Sequence, residues 1–232
     1  MTTEGITEQD IADYLVNTPG FFERHATLLA TIQLSHPHGA RAVSLQERQA
    51  EMLRDKIKGL EQRIMEMIRN GQENVGIADR LHRWTLELMR TTDSAALPEI
   101  LCAELRHQFL IPLAGVRLWG VADAHAPATF AQAVSEDVMS FAGSLSQPYC
   151  GINSGFEAAR WLDAPEGGAA TSLALIPLSR RFNGEMQTFG LLVLGSPDPT
   201  RYTAEMGTEF LTRIGDIAGA ALARLLPDAQ AA

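Results

Sequence analysis

Cys102 and Cys150 are the two thiols among 232 residues, and neither belongs to a C-x-x-C pair, the spacing that disulfide exchange uses. A reactive thiolate at Cys150 needs a neighbouring cation or a helix N-terminus. The segment Tyr149-Cys150-Gly151 supplies no cation, so a small buried hydrophobe is the simpler reading. His25, His36 and His38 offer imidazoles, two of them separated by one residue, that could share an ion. Zinc recruits four ligands and no cysteine or acidic cluster accompanies these histidines, so a Pro-Gly turn is preferred and no metal is assigned. Arg117 and Trp119 fall on one face of a strand whose other face carries Val116 and Leu118. The Arg offers a planar fork for a carboxylate or phosphate and the Trp a stacking surface. An Arg paired with a surface carboxylate is the plain alternative.

Catalytic signatures are missing. The chain has no Gly-x-Ser-x-Gly elbow, no phosphate-binding Gly-rich loop ending in Lys-Ser or Lys-Thr, and no His-Glu-x-x-His. Gly167-Gly168 and Asn153-Ser154-Gly155 read as ordinary turns. The expectation is a protein that is not an enzyme and carries no cofactor.

These side chains need a scaffold, and composition bounds it. With 46% hydrophobic and 20% charged residues, the chain can bury one sizeable core beside a helical arm. A net charge of −9 argues against broad contact with nucleic acid, where Lys and Arg supply most of the attraction. The basic stretch around Arg41, Arg48, Arg54, Lys56 and Lys58 is interleaved with Glu47, Glu51, Asp55 and Glu61 and reads as a solvated helix face. Two unpaired cysteines, no secretory pattern and no apolar run of membrane-spanning length point to a cytoplasmic protein.

Local signals order the elements. Thr7-Glu8-Gln9-Asp10 matches a capping box, Ile11, Tyr14 and Leu15 follow at helical spacing, and Pro19-Gly20 ends the helix. Phe21, Phe22, Leu28, Leu29 and Ile32 suit a second short helix, giving a cap over residues 1–42 whose aromatics need cover. Ser44 is a candidate N-cap, with Glu47 in the box position, for a long helix over 43–76. There an apolar heptad places Leu53, Leu60 and Met67, then Leu81 and Leu88, at one core position, and Ile57, Ile64 and Ala78 at the other. Such a seam wants a second helix, and the best candidate is another copy of the chain. Leu53, Ile57, Leu60, Ile64 and Met67 are the expected dimerisation residues. Gly71, Asn74 and Gly76 weaken the pattern, predicting a kink or a new helix there.

Residues 77–227 alternate elements. Helical stripes (Leu81, Trp84, Leu88; then Leu97 to Phe109) lead to a strand over 116–121, a weaker strand over 129–134, a helix over 136–145, a short strand over 149–152 and a short helix over 156–162. Strands over 172–178 and 188–194 flank Asn183-Gly184, a tight-turn pair, so they form a hairpin. A last helix, about 204–226, has Gly215, Ala218, Gly219 and Ala220 for close approach, and residues 228–232 read as a disordered tail. The expected class is α+β, an antiparallel sheet with helices mostly on one face.

Several stretches together resemble a known family: Phe21-Phe22-Glu23-Arg24-His25, Leu28-Leu29, His36-Pro37-His38-Gly39, Val43 to Gln49, Tyr149-Cys150-Gly151, Ile176-Pro177-Leu178, and Gly190 to Asp198 before Arg201-Tyr202. On these the chain resembles the bacterial domain-of-unknown-function family 484 over nearly its whole length. The resemblance implies a GAF-like domain behind a helical segment, with a sheet of about six strands, a pocket between sheet and outer helices, and pairing through terminal helices. It implies no established reaction. The Asn-Lys, Phe and Asp-Glu constellation of cyclic-nucleotide-binding GAF domains has no counterpart, and Cys150 lacks the adjacent His of bilin-binding relatives. For the implied pocket, Arg117, Trp119, Phe130, Tyr149, Cys150 and Ser172 are the candidate lining.

The expected function is a GAF-like sensor or adaptor, a homodimer through its N-terminal helix, binding a small ligand and signalling through a partner protein. The alternative is a structural interaction module without a ligand. Thiol redox chemistry at Cys150 ranks third.

Overall fold

The computed structural model describes residues 6–31, 45–162 and 169–227. The His36-Pro37-His38-Gly39 turn, the Ser44 cap, Gly167-Gly168 and the tail lie outside the described residues. The chain forms two compact units, Met1–Gln72 and Glu73–Ala232.

In the first unit, α1 (Glu8–Asn17) starts at the expected capping box: the Asp10 N–H donates to the Thr7 hydroxyl at 3.2 Å, and the Thr7 N–H to the Asp10 carboxylate at 2.9 Å. Helices α2 (Phe21–Arg24) and α3 (Ala26–Thr31) follow, with Phe21 edge-on to both Tyr14 and Phe22. Helix α4 (Leu45–Arg90) then runs as one helix through Gly71 and Gly76, so of the kink or new helix that the sequence predicts there, no new helix starts. A methyl group at either glycine would meet nothing within 4 Å among the described residues. Each costs about 1 kcal/mol of helix propensity, a weak local term set against strong helix formers upstream and the burial of Trp84 and Leu88 downstream.

In the second unit, α5 (Leu97–Phe109) leads into β1 (Leu113–Leu118), α6 (Glu136–Ser144), β2 (Tyr149–Ile152), β3 (Ser172–Phe182), β4 (Glu185–Ser196) and α7 (Glu209–Leu222). The four strands form one antiparallel sheet, ordered β1-β4-β3-β2. The fold is α+β, an antiparallel sheet flanked by helices. The hairpin turns at Asn183 and Gly184, both at positive φ (51° and 88°), the backbone a tight two-residue turn requires.

Three expectations are corrected. Residues 129–134 form no strand: Thr129–Ala131 is a 3-10 turn that buries Phe130, and the described residues hold four strands rather than about six. Helices also cover both faces. On one face Val116, Leu118, Ala174, Ile176, Leu192 and Leu194 pack with Trp84 and Leu88 of α4, Leu101 and Leu105 of α5, and Ile214 and Leu222 of α7. On the other, Leu113, Leu173, Leu175, Leu191 and Val193 pack with Ala142 of α6, Ala158 and Leu162. The nearly unbroken apolar runs of β3 and β4 carry the reason, because a strand covered on both sides has no polar face to alternate.

Candidate functional site

The face of the sheet under α6 gathers the polar and aromatic groups. Alternation along β1 sends Arg117 there, away from the Val116 and Leu118 side, as the sequence predicts. The Arg117 guanidinium donates to the Gln132 side-chain oxygen at 3.0 Å and lies 5.9 Å from the Trp161 ring centre. Trp119 packs at the margin of the same cluster, its indole N–H donating to the Thr188 carbonyl at 3.1 Å. Tyr149 of β2 meets Phe156 at 5.3 Å and Phe141 of α6 at 6.3 Å between ring centres. Its ring folds back along the strand over Gly151, where a Cβ would stand 2.7 Å from the phenol oxygen.

The 3-10 turn Glu157–Trp161 and the following Leu162 lie directly on this face. They do so over two glycines: a Cβ on Gly115 would come within 3.0 Å of the Trp161 carbonyl, and one on Gly195 within 2.5 Å of Leu162 Cδ1. Ser135 ties this turn to α6. Its hydroxyl donates to Glu157 at 2.6 Å while accepting the Val138 N–H as the helix N-cap. The bond from that hydroxyl and a second from the Ser135 N–H, at 3.3 Å, hold the Glu157 carboxyl below its ordinary pKa.

Among the described residues a cavity of about 270 Å³ lies beside the turn, lined by Leu113, Asn153, Phe156, Arg160, Leu162 and Ala170 among others. That is below the roughly 300–1,000 Å³ common for small-molecule pockets. Asn153 is held by its neighbours, donating to the Ala170 carbonyl at 2.9 Å and accepting from the Gly155 N–H at 3.1 Å.

The six candidate lining residues divide between the faces, and none lines this cavity. Arg117, Trp119 and Tyr149 share the α6 side, while Phe130 and Cys150 are buried on the side of α5 and α7. Burial pushes the Cys150 thiol up to about 11 and Cys102 to about 12. Ser172 is buried at the start of β3, its hydroxyl donating to the Asp198 carbonyl at 2.6 Å. Phe141, Phe156, Trp161, Gln132 and Glu157 complete the α6 side and went unremarked as site residues. The aromatic spacing from Phe156 to Trp161 is the signal that could have found two of them. Of the three histidines weighed as metal ligands, His25 lies within the described residues, its ring 4.7 Å from that of Phe21.

The family model described as "Protein of unknown function, DUF484" matches residues 1–227. No curated protein matches the chain. Among solved structures, the chain is similar to the GAF domain from an Acinetobacter phosphoenolpyruvate-protein phosphotransferase, with 14% identity and TM-score 0.44 over 63% of this chain and 92% of that one. The GAF domain of the Coxiella burnetii phosphoenolpyruvate-protein phosphotransferase gives 14% identity and TM-score 0.43 over 65% and 94%. A free methionine-R-sulfoxide reductase from Neisseria meningitidis, solved with its substrate, gives 14% and 0.40 over 63% and 87%. Likenesses at these TM-scores carry no weight for function.

Proposed function

The chain belongs to the DUF484 family of proteins of unknown function, and from that premise we propose that it is a GAF-like regulatory module, a cytoplasmic sensor or adaptor that dimerises through α4 and reports to a partner protein. One observation carries the reading. Leu53, Ile57, Leu60, Ile64 and Met67 repeat at heptad spacing on α4 and stand 60, 52, 47, 54 and 72% exposed in the single chain. A stripe of that kind stabilises a helix only when another surface covers it. Catalysis by a thiol is disfavoured, since a cysteine titrating at about 11 is almost wholly protonated at neutral pH.

In the adaptor version no ligand is needed: Trp161, Leu162 and the Tyr149 cluster pack on the α6 face, beside a cavity of about 270 Å³. In the sensor version a small molecule in that space biases one helix arrangement over another, which requires unequal affinity for the two.

Native mass spectrometry of protein purified from its own host tests both parts. A dimer without added mass supports the adaptor, and a dimer retaining a small molecule supports the sensor. A folded monomer at micromolar concentration overturns the proposal. Leu60→Asp on the exposed stripe is expected to abolish the dimer while leaving the far-ultraviolet circular dichroism of the second unit intact.

A further inference from the structure

We propose that the exposed stripe of α4 pairs with the same stripe of a second copy as a parallel, in-register, two-stranded coiled coil over residues 50–70. This rests on the dimer reading above and adds its direction and strand number. The steps from Leu53 to Ile57 and from Ile57 to Leu60 are four and three residues, which places Ile57 and Ile64 at position a and Leu53, Leu60 and Met67 at position d. A β-branched residue at a with Leu at d is the composition that favours two parallel strands. The seam closes at Gly71 and Asn74, and farther along the same helix Trp84 and Leu88 are buried within the second unit, so the available stripe is bounded.

Charge decides the direction. The g flank carries Gln49, Lys56, Arg63 and Asn70, and the e flank Arg54, Glu61 and Ile68. In a parallel, in-register pair each g residue faces the e residue five positions on in the other copy. Lys56 then meets Glu61 of the second copy, twice by symmetry, and the neighbouring pairs, Gln49 with Arg54 and Arg63 with Ile68, oppose no like charges. Antiparallel chains set g against g and e against e, so an attraction of Arg54 for Glu61 would be offset by the repulsion of Lys56 and Arg63, whereas the parallel pair keeps the Lys56–Glu61 attraction unopposed.

Single cysteines in the full chain test this at both ends of the seam. Leu53→Cys and Met67→Cys, made separately, are each expected to form a covalent dimer under mild oxidation, since in register each residue faces its own copy. Lys56→Glu is expected to raise the dimer dissociation constant about tenfold, roughly 1.4 kcal/mol over the two symmetric pairs. Adding Glu61→Lys should restore it. Sedimentation equilibrium of the unsubstituted chain gives the strand number independently. A dimer that cross-links at one position or neither, or a trimeric mass, overturns the parallel pair while leaving self-association standing; a monomer at every concentration overturns both.

Discussion

Ser172 and Ser196 are the two buried polar residues among those described, and both act on one turn. The Ser172 hydroxyl donates to the Asp198 carbonyl at 2.6 Å, and the Ser196 hydroxyl accepts the Asp198 N–H at 3.1 Å, so the turn after β4 is anchored from within. That local assignment leaves Ser172 no spare donor for a ligand. Cys102 and Cys150 are likewise structural. A thiol ordinarily titrates near 9.0, and burial raises these to about 12 and 11. Above pH 9 the unfolded chain has released protons that the folded chain still holds, so stability is complete below that value and falls as pH rises from about 9 towards 11. Chemical denaturation across that range should show the decline, shallower in Cys150→Ala. Alkylation of the folded protein at pH 8 should run about a hundredfold slower than that of a free cysteine. At Trp84, wholly buried with its indole N–H directed at the Leu101 carbonyl 3.4 Å away, replacement by Ala is expected to cost about 3–5 kcal/mol, read as a lowered denaturant midpoint.

Helix α7 shows how an element is seated by its smallest residues. Its Gly215 and Gly219 face β3, and a Cβ at Gly219 would come 2.9 Å from the Ser179 carbonyl, one at Gly215 2.8 Å from Ile176 Cγ2. The small-residue run in the sequence predicts this close approach, and the structure shows its partner is the sheet. Gly219→Val is therefore expected to cost about 1–3 kcal/mol despite the better helix propensity of valine, because the obstruction is backbone. Thermal melting should show a fall for Gly219→Val and none for Gly59→Ala, where the added methyl meets nothing within 4 Å. The β3–β4 hairpin was legible at this scale because Asn183-Gly184 carries its turn chemistry locally. The 129–134 strand was misread because Phe130 is buried from a short 3-10 turn, an outcome set by the core it enters rather than by its neighbours in sequence.

For the whole molecule, the proposed self-association through α4 would make stability depend on concentration, since whatever binds only the folded state raises its melting point. The melting temperature is expected to climb between low and high micromolar protein and to become independent of concentration in Leu60→Asp; calorimetry at several concentrations checks this. What the sequence determined by itself was local and periodic: the Thr7 capping box, the heptad of α4, the hairpin turn, and the alternation that sends Arg117 and Trp119 away from Val116 and Leu118. Each depends on residues a few positions apart, whose geometry is set by helix or strand repeat. Only the tertiary structure decided which face of the sheet each strand residue shares with which helix. It separated Cys150 and Phe130 from Arg117, and it laid Trp161 and Leu162 over Gly115 and Gly195. Those outcomes depend on contacts between residues far apart in the chain, where burial of apolar surface rather than local periodicity selects the neighbour.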